Sequence, residues 1–245
     1  MKVFRGFDSL PTFHNAVATM GSFDGVHCGH RVLLERVICK AKEIGGHSVV
    51  LTFDPHPRYV LGTGGDMKLL STIEEKILLL DQAGIDNLII IPFTPEFSRT
   101  SPEEFIKSLA TLGIRSMVVG YNHRFGHKKE GDYNYLSAHD QGMEIAMVEQ
   151  QQVASNKVSS TIIRQSIEAG KMESVAQMLS RPYIIIGDLD TNNSISGIDQ
   201  HKLLPPPGIY RVKVNGSANA LIINQEGELK LETTADAGKV LIEIE

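Results

Sequence analysis

Two cysteines, Cys28 and Cys39, are too few for a disulfide framework in a chain of 245 residues, and they point to a reducing compartment, the cytoplasm. No apolar run approaches the roughly 18 residues that a membrane helix needs. The opening MKVFRGFDSLPTFHNA has no apolar stretch of signal-peptide length. There is no basic surplus: 24 Lys and Arg stand against 29 Asp and Glu, for a net charge of −5. That balance argues against a general nucleic-acid binder, yet leaves room for a phosphate site, which needs only local positive charge. Internal repeats and low-complexity tracts are missing too. Apolar residues make up 42% of the chain, enough to bury a proper core in one good-sized domain, with or without a small appendage.

Those apolar residues fall into short runs separated by helical repeats. AVATM (16–20), SVVLTF (48–53), NLIIIPF, RSMVVG and EIAMVE read as buried strands. Between them lie amphipathic helices. The first begins at Gly29, carries Val32, Leu33, Val37, Ile38, Ala41 and Ile44 at helical spacing, and stops at Gly45. IEEKILLLDQA follows a Thr72–Glu75 capping box, and Ser101-Pro102-Glu103-Glu104 opens another helix. DYNYLSAHDQ is a weaker helix, and SSTIIRQSIEAG and MESVAQMLS are two more. This alternation predicts an α/β fold with a mostly parallel sheet, whose ligands bind where strand ends turn into helices. After Pro182 the texture changes. Residues 188–196 are polar and read as a loop, and Pro205-Pro206-Pro207-Gly208 punctuates the chain. IYRVKV, ALIIN, ELKLET and KVLIEI then predict four short strands of a small antiparallel β domain.

The residues able to do chemistry cluster at the strand ends. GSFDGVHCGH (21–30) joins a strand to a helix start, where free backbone N–H groups and the helix dipole favour an anion. Gly25 and Gly29 permit close approach, and His27 and His30, three apart, can both donate to phosphate oxygens. A helix cap beside a surface histidine is the plainer alternative. A metal set of His27, His30, His56 and His123 is another, without a carboxylate or thiolate at a familiar spacing. Cys28, at a helix start, suggests a nucleophile but reads as incidental. Ser159 and Ser160 stand at a second helix N-terminus, with Arg164 one turn on, where its guanidinium can reach the same anion. FDPHP (53–57) and Asn122–His127 are either loops or pocket walls; in the second, Phe125 suits a flat ring and Asn122 a ring edge.

His27-x-Gly29-His30 after a strand resembles the signature of the nucleotidylyltransferase superfamily, and GSFDGVHCGH resembles the FAD synthetase module of bacterial riboflavin kinase/FAD synthetases. Four further segments resemble that family in the right order over residues 1 to about 183: FDPHP, SPEEFI (101–106), GYNHRFGH (120–127) with KKEGD, and VSSTIIR (158–164). The resemblance implies a Rossmann-like nucleotidylyltransferase domain over 1–183 and a remnant riboflavin kinase module over 184–245. It implies an FMN adenylyltransferase, in which the FMN phosphate attacks the α-phosphorus of ATP to give FAD and pyrophosphate. His27, His30 and Arg164 are the implied catalytic residues. Gly21, Ser22, Phe23, Asp24, Gly29, Ser159, Ser160 and Thr161 are the implied ATP and phosphate contacts. Phe53, Pro55, His56, Pro57, Asn122 and Phe125 are implied to line the flavin and nucleotide pocket. Mg2+ is expected on the ATP phosphates, with no protein metal site. The expected partners are ATP, FMN and FAD, with no nucleic acid or membrane, and either a second copy of the chain or a separate riboflavin kinase.

Ser22 stands where many relatives carry asparagine, and His123 where phenylalanine is common. The C-terminal part lacks the kinase module's Pro-Thr-Ala-Asn signature, so riboflavin kinase activity is predicted absent. Transfer to another phosphorylated acceptor, or flavin or nucleotide binding without turnover, are the competing readings.

Overall fold

The computed structural model describes residues 1–7, 10–149, 152–153, 156–232 and 236–245. Residue contacts divide the chain into two units: Met1–Phe23, Gly29–Asp66 and Ile77–Gln151 in the first, and Asp24–Cys28, Met67–Lys76 and Gln152–Glu245 in the second.

The first unit is built on six parallel strands: β1 (Lys2–Arg5), β2 (Ala16–Met20), β3 (Ser48–Asp54), β4 (Asn87–Pro92), β5 (Ile114–Gly120) and β6 (Glu144–Val148). Their order is β1-β4-β3-β2-β5-β6. Every residue of β2 is buried, which is why it reads as an uninterrupted apolar run. α1 (Cys28–Glu43) follows β2, and its buried Leu33, Leu34, Val37 and Ala41 are the predicted stripe. The short α2 (Pro57–Val60) follows β3, and α3 (Ile73–Gln82) precedes β4. α4 (Pro102–Thr111) starts from a complete Ser101–Glu104 capping box, and α5 (Tyr133–Ala138) from an Asp132 cap. From β2 the chain winds outward through β3 and β4, then crosses back to β5 on the other side of β2. This reversal opens a crevice at the carboxyl ends of β2 and β5. β1 was not expected; it is a four-residue edge strand pairing with β4, mostly exposed and so without a buried pattern to read.

The second unit holds the short hairpin β7 (Gln152–Val153) and β8 (Asn156–Lys157), then α6 (Ser160–Glu168) and α7 (Met172–Leu179). A closed barrel follows, made of β9 (Tyr183–Leu189), β10 (Ser194–Ser196), β11 (Gly208–Val214), β12 (Ser217–Ile223), β13 (Leu229–Leu231) and β14 (Gly238–Ile244) in the ring order β10-β13-β12-β11-β14-β9. Two expectations are corrected here. The barrel has six strands, not four, and residues 188–196 are not a loop: Asp188 and Leu189 pair with Ser196 and Ile195. Only a tight turn at 190–193 separates the two strands, closed by Asp190 Oδ1 accepting from the N–H groups of Asn192 and Ser194. The outward residues are polar because they meet water, while Leu189 and Ile195 point into the barrel core. A buried ion pair lies in this unit. Lys202 Nζ donates to Glu75 Oε2 at 2.6 Å and to the carbonyls of Leu70 and Ile184, and both side chains are fully buried.

Candidate functional site

The phosphate-motif residues of the second unit form a hydrogen-bonded knot around Asp24. Its Oδ1 accepts from the N–H groups of Leu70 (2.9 Å) and Ser71 (3.0 Å), and its Oδ2 from Arg164 Nη2. Arg164 Nε donates to Lys68 O at 2.7 Å. Ser160 Oγ donates to Asp24 O (3.0 Å), Gly25 N to Ser71 Oγ (2.9 Å), and Arg181 Nη2 to Gly25 O (2.7 Å). Gly25 has φ +81°, and a Cβ there would stand 2.9 Å from the Leu70 side chain, so only glycine fits. Ser159 caps α6 by accepting from Ile162 N, while Thr161 is exposed in the first turn. His27 is buried, and burial outweighs the attraction of Asp24 to pull its pKa down to about 4. The ring is therefore neutral at pH 7 and carries one N–H donor.

A cavity of about 310 Å³ occupies the carboxyl-end crevice of the first unit. Gly21 and Ser22 continue β2 into it, Phe53 is the penultimate residue of β3, Phe93 follows β4, and residues 123–126 follow β5. Its walls are aromatic. Phe53 meets Phe93 edge-on at 5.4 Å, Phe97 meets Phe105 at 6.2 Å, Phe105 lies 6.0 Å from Phe125, and His123 stacks on Phe125 at 5.7 Å. Such walls suit a flat, conjugated ligand. His56, Arg58, Arg124 and Lys129 add polar and cationic groups. His56 also caps α2, accepting from Arg58 N through Nδ1. His123 Nε2 is shielded from solvent with no hydrogen-bond partner among the described residues, and burial lowers the pKa of this ring to about 4. Beside the crevice, Phe23 is buried and packs its ring against His30, 5.2 Å between centroids.

The FAD synthetase family model matches residues 10–162, more than half of the chain. This chain belongs to the FAD synthetase family. Among its relatives, the bifunctional riboflavin kinase/FMN adenylyltransferase of Listeria monocytogenes is 34% identical over 220 residues, which cover 84% of this chain and 70% of the relative. A second protein of that organism, described as FAD synthetase, is 32% identical over 200 residues, 80% of each chain. A crystal structure described as a macrolide-efflux protein from Streptococcus pneumoniae superposes with a TM-score of 0.86 over 100% of this chain and 98% of that one. At 21% identity it speaks to the fold alone.

The family's signatures thus fall into two spatial groups. Gly21, Ser22, Phe53, His56, Pro57 and Phe125 line the cavity, so Gly21 and Ser22, assigned to ATP phosphates from sequence, stand in the wall shared with the flavin-pocket residues. Pro55 and Asn122 are exposed and outside that wall. Asp24, Ser159, Ser160 and Arg164 belong to the knot in the second unit. Asp24 is not a surface for an anion: its carboxylate is buried and filled by three protein donors. Gly29 and His30 form the first turn of α1, and Cys28 packs beside the second unit's core. Among the described residues no cluster of three His, Cys, Asp or Glu could hold a metal. Sequence reasoning missed Phe93, Phe97 and Phe105, whose only signal is aromatics spaced around the turn after β4. It also missed Lys68 and the strap 67–72, where nothing in the sequence announces that two N–H groups serve Asp24.

Proposed function

We propose that this FAD synthetase transfers the AMP part of ATP to FMN. A phosphate oxygen of FMN attacks the α-phosphorus of ATP. The new P–O bond forms as the bond to the β-phosphate oxygen breaks, and pyrophosphate leaves with that electron pair. Such a transfer needs positioning and charge neutralisation rather than a covalent enzyme intermediate. The observation that carries this reading is the aromatic cavity at the carboxyl ends of β2, β3 and β5, in a chain that also carries both phosphate motifs. The isoalloxazine ring lies between Phe53, Phe97 and Phe125. His27 and His30 donate to ATP phosphate oxygens, and the backbone N–H groups of Ser160 and Thr161, the Thr161 hydroxyl and the remaining Nη1 of Arg164 hold the departing phosphates, the Ser160 hydroxyl being given to Asp24 O. Mg2+, when bound with ATP, would supply charge neutralisation at the phosphates, with the phosphates rather than protein side chains as its main ligands. Asp24, the buried carboxylate of the motif, does not fit as its ligand because it is already filled.

Residues 1–183 make up the transferase module in this reading, and 184–245 are a riboflavin kinase remnant without the Pro-Thr-Ala-Asn signature. FMN then comes from a separate riboflavin kinase, and the two free cysteines suit a reducing cytoplasm. The test is to incubate the full chain with ATP, Mg2+ and either FMN or riboflavin, and to separate the flavins. FAD from FMN, and no FMN from riboflavin, is expected. FMN formed from riboflavin would overturn the remnant, and no FAD from FMN would overturn the transferase.

A further inference from the structure

Lys128 and Lys129 are consecutive non-glycine residues in the left-handed region, with φ +51° and +62°. L side chains avoid that region, and a pair persists only where the surroundings leave the backbone no choice. The segment 125–131 is held in that way. Gly126, at φ +72°, lies so close to α4 that a Cβ would stand 2.6 Å from the Pro102 ring. His127 N donates to Thr100 O at 2.9 Å, and its ring nitrogen Nδ1 lies 3.3 Å from Ser98 O. Phe125 and Gly131 exchange both backbone hydrogen bonds, and Glu130 N donates to His127 O. In this turn Lys129 is among the residues that line the aromatic cavity, and Lys128 is not.

The cations at that wall are not equivalent. Arg124 is committed to Asp132 at 2.6 Å. Lys129 has no ion-pair partner among the described residues, and its neighbours around the cavity are aromatic or neutral, apart from Arg58 and Arg124. An unpaired ammonium on a strained loop, beside a slot for a flat ring, suits a ligand that carries an anion at the end of such a ring system.

We propose that Lys129 takes the phosphate of the flavin substrate, and so makes the cavity select FMN over riboflavin. This rests on the reading of the cavity as the flavin site. The selection has a chemical use: the phosphate is the attacking group, and riboflavin seated in the same slot would block the site without reacting.

The test is flavin binding to the full chain, followed by quenching of flavin fluorescence, with FMN and riboflavin as paired probes. Lys129→Met is expected to raise the Kd for FMN about 5- to 20-fold and to leave that for riboflavin within about 2-fold. Lys129→Arg should keep most of the preference, and Lys128→Met, one residue away in the same strained turn, should keep all of it. An unchanged FMN-to-riboflavin ratio in Lys129→Met would overturn the proposal. So would weaker ATP binding with unaltered FMN binding, because the anion taken would then belong to the nucleotide. Phe97→Ala separates this failure from failure of the cavity itself. If it weakens both flavins while Lys129→Met changes neither, only Lys129 is misassigned. If it alters neither flavin, or if the wild-type chain binds none, the flavin site lies elsewhere and both readings fall.

Discussion

Burial acts alike on two histidines of this chain. His27 and His123 both have pKa values pulled down to about 4, so they stay neutral in the fold at pH values where an unfolded histidine, near 6.5, takes up a proton. Between about pH 6.5 and 4 the unfolded chain therefore binds more protons than the folded one. Stability is complete above that window and falls as the pH drops through it, by an amount on the order of a few kcal/mol for the pair. Thermal melts from pH 7.5 to 4.5 should show this slope, and His123→Phe should make it shallower by removing one titrating group while keeping the stack on Phe125. His27→Ala should lower FAD formation about 10²- to 10³-fold, the usual loss when a donor to a charged transition state is removed, with a much smaller effect on melting temperature. Near-full activity would remove His27 from the mechanism. At Lys128 the expected change runs the other way. Glycine adopts φ +51° without a steric penalty, so Lys128→Gly should stabilise the chain by about 1 kcal/mol in denaturant titrations.

At the scale of elements, the strap 67–72 with the first turn of α3 is the piece whose role depends most on its partners. Asp24 holds its backbone at Leu70 and Ser71, and Arg164 holds it at Lys68. Its Glu75 serves three donors: Thr72 N in the capping box, Ile186 N of β9, and Lys202 Nζ. Burial lowers the Lys202 pKa while Glu75 raises it, and the ammonium also lies 4.2 Å over the Tyr183 ring. Two charges removed from water in this way stabilise little as a pair, but loss of one partner strands the other. Lys202→Met should therefore cost about 3–5 kcal/mol in equilibrium unfolding. Glu75→Gln combined with Lys202→Met should recover only part of it, because the amide NH2 then faces the N–H of Thr72 or Ile186 where a carboxylate oxygen accepted. A double variant less stable than Lys202→Met would show that this donor conflict outweighs the charge removed.

For the whole molecule, the two units carry different halves of the family's signatures. The decapeptide 21–30 contributes to both: Gly21–Phe23 and Gly29 onward count with the sheet, and Asp24–Cys28 with the barrel unit. The aromatic cavity belongs wholly to the first unit. Its occupation should therefore stabilise that unit in proportion to ligand concentration over Kd, about 2.7 kcal/mol at one hundred times Kd. Hydrogen exchange with saturating FMN should show the added protection in β2, β3 and β5 first. Protection confined to the barrel would contradict the placement of the flavin.

Much of this was legible in the chain because it depends on local periodicity and short motifs. Five strands and the helices between them other than the four-residue α2 follow from apolar spacing, the starts of α3, α4 and α6 from capping residues, and the family from motifs each confined to a few consecutive positions. The barrel's closure was not legible, because a strand of three residues such as β10 carries too short a pattern to be told from a turn until its partners pair with it. Nor was the role of Asp24. Its position in a phosphate motif suggested contact with phosphate, and only the fold brings Leu70, Ser71 and Arg164 to its carboxylate. The sequence by itself determined which segments pack and which chemistry the chain carries, since both rest on residue type and spacing. Tertiary structure alone decided which motif residues face the cavity and which hold the frame, because that depends on hydrogen-bond partners 46 to 140 positions away along the chain.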